Sequence, residues 1–285
     1  TYCTIPSIRG PHISVEKDKI IEEAGELVKK GVKEIIVVSQ DSSKYGEDLG
    51  SADIASLMDE LAEHFPETYF RIMYLNPDGV SEALLDVVAQ HSNIIPYFDI
   101  PVQHASDKIL QRMNRKSRRA DIERVFDMIR AKLPDAFIRT TVIVGFPGET
   151  DEDFAEIESF LLNSSPDYAG FFPYSPEEGT PAARLDGVVD EKIVKKRLKI
   201  LQTIQKNNTV NRLKQIKKSE IYCFVDKEND DFAFILEGRS FFQAPEVDGK
   251  LYVTDGIPAE GCGPYKARIH KIAYPDIYVE LLEHL

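Results

Sequence analysis

Cysteine is scarce in this chain: three in 285 residues, at Cys3, Cys223 and Cys262. So few, so far apart, exclude a disulfide-stapled scaffold and fit a reducing, cytoplasmic setting. No apolar run approaches membrane-spanning length, and no secretory leader is recognisable. Neither a P-loop nor a G-x-G-x-x-G is present, which sets aside an ordinary phosphate-binding barrel. Positive charge is in deficit, with 35 Lys or Arg against 48 Asp or Glu and a formal net charge of −13. That argues against a chain gripping nucleic acid over its whole surface and suits a basic partner. An initial Met and an apolar strand ahead of the first helix are both lacking, so a preceding strand is expected before Thr1.

What is present reads as an ordinary globular chain, 42% hydrophobic and 29% charged, long enough for a large and a small domain. Ser14 is expected to cap a helix over 15–30 that Gly31 stops. Buried-strand patterns follow at 34–40, 68–75, 94–102, 137–145 and 168–174. Between them lie helical patterns opened by Asp53, Ser81 and Thr150, and one helical region carrying Ile109 through Ile129. Strand and helix thus alternate from Val15 to Tyr174, the pattern of a partial (β/α)6, TIM-like barrel. Polar and glycine-rich residues collect after each strand, at the face where such folds keep their chemistry. Cys3, taken alone an ordinary thiol, falls in a loop at that mouth.

From Asp190 to Lys218 a single basic helix is expected. Short β-like runs then follow at 221–225, 232–236, 251–253, 265–272 and 277–281, separated by Asn, Asp and Gly turns, as in a small β-barrel. The expected division is 1–188 for the α/β barrel, 189–218 for the connecting helix and 219–285 for the small barrel. Cys223 and Cys262 read as structural thiols of the small domain.

The stretches Cys3-Thr4-Ile5-Pro6-Ser7-Ile8-Arg9-Gly10, Ser39-Gln40-Asp41-Ser42-Ser43-Lys44-Tyr45-Gly46, Met73-Tyr74-Leu75-Asn76-Pro77-Asp78, Phe98-Asp99-Ile100-Pro101-Val102-Gln103-His104 and Ile143-Val144-Gly145-Phe146-Pro147-Gly148-Glu149-Thr150 resemble the radical S-adenosylmethionine methylthiotransferases. Tyr174–Thr180 and Ala244–Gly249 add to the resemblance. It implies a radical SAM barrel followed by a TRAM β-barrel. It further implies a [4Fe–4S] cluster held by C-x-x-x-C-x-x-C, with Cys3 as the third ligand and the first two lying before Thr1. A preceding domain would carry an auxiliary iron–sulfur cluster. Three thiolates leave one iron open to chelate S-adenosylmethionine. The implied chemistry is reductive cleavage of that cofactor, hydrogen abstraction from an unactivated carbon, sulfur delivery from the auxiliary cluster, and methylation by a second cofactor molecule.

The same resemblance assigns cofactor contacts to strand ends: Gln40 and Asp41 to the methionine moiety, Gln103 and His104 to the ribose, and Val144, Gly145 and Phe146 to adenine, with Tyr174 as a further lining residue. For His104 a satisfied loop histidine is the competing reading. Arg71 and Arg139 lie within strands and need buried partners, from substrate or protein. The branch resembled most acts on an aspartate β-carbon of a small-subunit ribosomal protein, with flavodoxin or ferredoxin as electron donor. The competing branch modifies a tRNA adenosine. It typically has Asn where Asp41 stands and Thr at Gly148, and it lacks the Met73-Tyr74-Leu75 stretch. Residues 211–285 carry ten Lys or Arg against thirteen Asp or Glu, which favours a protein over RNA as the primary substrate. A ribosome-binding module without chemistry is the alternative from outside enzymology.

Overall fold

The computed structural model describes residues 1–50, 53–229, 235–256, 258 and 261–284. After Cys3 come α1 (Ile5–Arg9), α2 (Lys17–Lys29), β1 (Glu34–Val37), α3 (Ile54–His64), β2 (Tyr69–Ile72), α4 (Glu82–Gln90) and β3 (Tyr97–Asp99). They are followed by α5 (Asp107–Arg112), α6 (Arg119–Lys132), β4 (Phe137–Val144), α7 (Asp151–Asn163) and β5 (Tyr168–Pro173). β1 pairs with β2, β3 with β4, and β4 with β5, all parallel. A Phe70–Ile94 bridge and the bond from Leu75 N to the Asp99 carbonyl (2.8 Å) join the two groups. Five parallel strands therefore stand in sequence order, because each helix carries the chain back to start the next strand.

Local chemistry explains the boundaries. Asp53 and Ser56 form a reciprocal capping box on α3, as Thr150 and Asp153 do on α7, and Ser81 Oγ accepts from Leu84 N at the start of α4. Gly31, at φ +83°, ends α2 in the left-handed region. Ser14 is no cap, contrary to expectation. α2 starts at Lys17, and Ser14 Oγ accepts from Gly46 N (2.9 Å), tying the chain to the loop after β1. The helical region carrying Ile109 through Ile129 is two helices. Asn114 at φ +62° breaks it, and the freed segment is pinned by Arg115 Nη2 to the Pro101 carbonyl (2.8 Å) and Ser117 Oγ to Asp78 Oδ1 (3.0 Å).

In β4, Ile138, Val142 and Val144 pack into the core beneath the helices. Phe137, Arg139, Thr141 and Ile143 therefore face the lumen, since strand side chains alternate. α8 (Glu191–Ile216), 26 residues long and capped by Asp190, packs against β5 and α7. Its buried side carries Val194, Leu201 and Leu213, with Gln205 and Thr209 bonded to the Pro166 and Asp167 carbonyls.

The second barrel comprises β6 (Glu220–Glu228), β7 (Leu236–Ser240), β8 (Leu251–Asp255), β9 (Tyr265–Ala273) and β10 (Asp276–His284), closed in the order β10-β8-β7-β6-β9. Closure leaves no strand edge unpaired. Of the strand expected at 232–236, Leu236 opens β7, and residues 232–234 lie outside the described residues. Cys223 is fully buried inside this barrel, and burial pushes its thiol up to about 12. Cys262, expected to be structural, is exposed instead, as is Cys3. A disulfide-exchange reagent at neutral pH is expected to titrate two thiols quickly in the folded protein and the third only on denaturation; rapid reaction of all three would contradict this packing.

The small barrel seals one end of the large one. Phe242 stacks on Phe137 at 4.5 Å, and Phe241 lies against Tyr69 at 4.8 Å. Tyr69, Tyr97, Phe137 and Tyr168 all stand at strand starts, so the seal is at the N-terminal end of the sheet. The C-terminal ends of the strands point away from it.

Candidate functional site

At those C-terminal ends a cleft of about 280 Å³ opens, lined among others by Tyr2, Gln103, Thr141, Ile143, Phe172 and Tyr174. Gln103 sits there at φ +71°, bridged to β4 through Gln103 N to the Thr141 carbonyl and Ile143 N to the Gln103 carbonyl, both 2.8 Å. Tyr174 is held by its N–H to the Val144 carbonyl (2.8 Å), while its buried hydroxyl has no hydrogen-bond partner among the described residues. Burial raises its phenol, with Glu177 adding to the effect, so it stays a neutral donor. Gln103 and Tyr174 are thus brought together. Tyr2, Thr141, Ile143 and Phe172 join them unforeseen. Strand alternation from Arg139, and from Tyr174 back to Phe172, is the signal that finds three of them.

Val144, Gly145 and Phe146 do not line that cleft. Val144 and Phe146 are fully buried. The Phe146 ring meets Tyr174 edge-on at 5.1 Å and Tyr2 at 6.4 Å, so it supports two cleft residues from behind. Gly145 turns at φ +79°, and a Cβ there would lie 2.4 Å from Val194 Cγ2 of α8, which only glycine avoids. The residue that organises this turn is Glu149. Its carboxylate accepts from Gly145 N (2.7 Å), Phe146 N (3.3 Å) and Arg197 Nη1 (2.5 Å), with no side-chain exposure. His104 is fully buried too: Nδ1 accepts from Ser106 N (2.9 Å), leaving Nε2–H to face Glu149 Oε2 at 3.4 Å. The structure therefore places His104 as a satisfied loop histidine under the turn, outside the cleft.

Gln40 is exposed after β1. Asp41 is held by Ser43 Oγ (2.5 Å) and Asn76 Nδ2 (2.7 Å), with Lys44 Nζ at 3.5 Å. Ser42 fastens the same loop to the next strand end through its N–H to the Tyr74 carbonyl (3.0 Å) and its hydroxyl to the Met73 carbonyl (2.7 Å). Two stretches separate in sequence thus form one bonded rim, apart from the Gln103–Tyr174 cleft.

Arg71 and Arg139 find protein carboxylates. Arg71 Nε donates to Glu34 Oε1 (2.8 Å) and Nη1 to the Phe241 carbonyl (2.9 Å), while Arg239 of β7 holds the other Glu34 oxygen. Arg139 Nη1 donates to Asp99 Oδ1 (2.8 Å) and to Thr141 Oγ1 (3.3 Å), and its Nε lies 3.6 Å from Asp248. Asp248 accepts from Tyr97 OH (2.6 Å) and Ala244 N (2.8 Å). Burial, then the negative charge of Asp248, raises Tyr97 well above the ordinary phenol value, which keeps it the donor. The Ala244–Gly249 stretch is therefore a plug in the lumen floor, and Thr141 links that floor to the cleft.

Cys3 is exposed beside Tyr2. Among the described residues no group of three His, Cys, Asp or Glu side chains stands where a metal ion would be held. The residues present supply one thiolate and do not complete a cluster site.

Residues 1–161 match the model of the radical SAM superfamily, and residues 219–282 that of the TRAM domain. The chain belongs to the radical SAM superfamily. It is 40% identical over 257 residues to the ribosomal protein uS12 methylthiotransferase RimO of Geotalea uraniireducens, covering 90% of this chain and 57% of that protein. Against the proteins of the same name from Alkaliphilus oremlandii and Aquifex aeolicus, identities are 38% over 283 residues and 37% over 278, covering 99% and 97% of this chain and 64% of each relative. The chain thus spans less than two thirds of the length of these relatives. Coproporphyrinogen III oxidase (HemN) from Escherichia coli is similar at 16% identity and a TM-score of 0.49, over 72% of this chain and 45% of that one.

Proposed function

We propose that the complete protein is a radical SAM methylthiotransferase, placing a methylthio group on the β-carbon of an aspartate in ribosomal protein uS12. The observation that carries this reading is 37–40% identity over at least 90% of the chain to three relatives bearing that name. A [4Fe–4S] cluster and S-adenosylmethionine, when bound, supply one-electron cleavage to a carbon radical. Cys3 is assigned as one cluster ligand.

For the cofactor molecule the chain offers a shaped cleft. The Thr141 and Tyr174 hydroxyls and the Gln103 amide offer polar contacts, and Ile143, Phe172 and Tyr2 exclude water. Glu149 fixes the backbone turn beside it, and the Asp41 carboxylate, already oriented by Ser43 and Asn76, suits an ammonium group. An auxiliary cluster in a preceding domain, a flavodoxin- or ferredoxin-type electron donor and a cytoplasmic setting complete the reading. The acidic balance of residues 211–285 weighs against tRNA as the group modified.

The test is anaerobic production of the complete gene product. Bound iron and sulfide, with reductant-dependent release of 5′-deoxyadenosine from S-adenosylmethionine, are expected. A product with neither iron nor sulfide sinks the radical-enzyme reading.

A further inference from the structure

Residues 191–218 contain ten Lys or Arg and one acid, Glu191, a balance of +9 within a chain of net charge −13. Two of the ten are structural. Arg197 is buried against Glu149 and Asp151, and Arg212 pairs with Asp167. Six of the others, Lys192, Lys195, Lys196, Lys199, Lys206 and Lys214, are exposed on α8. At 100° per residue they fall within about 100° of one another around the helix, a ridge roughly 33 Å long at 1.5 Å per residue.

Little neutralises this ridge. Lys195 meets Glu191 in an exposed pair of small energetic weight, and Lys206 lies over the Tyr274 ring at 5.8 Å. Among the described residues no ion pair involves Lys192, Lys196 or Lys199, which share a shallow groove with Glu158 and Thr203. α8 itself carries no aromatic residue, and the one ring set against the ridge, Tyr274, is covered by Lys206, so base stacking is not what the ridge offers. Lysine offers point charges rather than the forked donors that read base edges. Its dense end is at the catalytic face, since Val194 abuts Gly145 and Arg197 binds Glu149.

We propose that this ridge docks the phosphate backbone of RNA beside the cleft, so that the protein engages its target within a ribonucleoprotein surface rather than as a free polypeptide. RNA here is a platform and not the group modified. The choice of RNA over an acidic polypeptide rests on the ribosomal-protein reading above.

The test is fluorescence anisotropy of a labelled oligo(U) strand with the protein over a series of KCl concentrations. Salt-dependent binding is expected. The triple variant Lys192→Gln, Lys196→Gln, Lys199→Gln is expected to bind at least about tenfold more weakly near 0.1 M salt, with the slope of log K against log salt reduced by about 2. The same three changed to arginine keep binding. The triple variant Lys19→Gln, Lys29→Gln, Lys30→Gln, on α2 and at its C-cap, alters net charge equally and leaves binding intact. No salt-dependent binding, equal weakening by the α2 triple, or tighter binding of polyglutamate than of oligo(U) overturns the proposal. The assay needs neither cluster nor cofactor, so its failure leaves the enzymatic reading standing, and failure of that reading leaves its result standing.

Discussion

Replacing Glu149 with alanine is expected to lower the free energy of unfolding by about 3–5 kcal/mol. The carboxylate is fully buried and receives two backbone N–H groups and the Arg197 guanidinium. Removing it strands a buried cation whose remaining partner, Asp151, is 91% exposed and compensates little. It also leaves the Gly145 N–H unpaired at a turn that no other residue type fits. Glu149→Gln keeps an acceptor for Gly145 and is expected to cost less. The double change Glu149→Leu with Arg197→Met removes both charges and is expected to recover much of the loss. Chemical denaturation of the three variants measures the series. A single-variant cost below about 1 kcal/mol, on the scale of an exposed ion pair, contradicts the assignment of Glu149 as the anchor of this turn.

Arg139→Met is expected to destabilise the protein by a similar amount, about 3–5 kcal/mol at neutral pH, by leaving Asp99 and Asp248 buried without their cation. The cost carries a pH signature. Burial already holds Asp248 above the ordinary carboxylate value, and losing Arg139 removes a charge that pulls it down, so in the folded variant Asp248 stands further above the unfolded value near 4. The penalty is then full above the raised folded pKa and shrinks as pH falls toward 4. Adding Asp248→Asn to Arg139→Met is expected to remove most of this dependence. Unfolding free energies measured between pH 5 and 8 decide it; a penalty independent of pH contradicts a buried carboxylate as its source.

Much of this architecture was legible in the chain. Apolar runs ending in polar loops mark all five parallel strands, and Asp53, Ser81 and Thr150 announce their helices because each cap is a local event. The contacts of Arg71 and Arg139 were not legible. Each takes one carboxylate from a neighbouring strand and a further acceptor from the second barrel, with Phe241 lying 170 residues from Arg71 in sequence, and no periodicity encodes which loop fills a lumen. Phe146 illustrates a second limit. An apolar residue at a strand end reads as a surface for a ligand, yet closure of Tyr2 and Tyr174 over it makes it a support. His104 shows a third, since only the folded backbone reveals that Ser106 N–H occupies Nδ1. Glu149 was visible only as the end of a motif, and its four-way coordination depends on α8 returning more than forty residues later.

The placement of the TRAM barrel at the N-terminal end of the sheet leaves the cleft open at the opposite end, beside Cys3 and the lysine-dense start of α8. Under the proposed function, a target aspartate would approach from the strand ends. The most direct measurement is mass spectrometry of small-subunit ribosomal proteins and of tRNA from cells with and without the gene. Loss of a methylthio increment from one aspartate of uS12 on deletion, with tRNA unchanged, is the predicted result. An unaltered uS12, or loss of the increment from tRNA instead, contradicts the account.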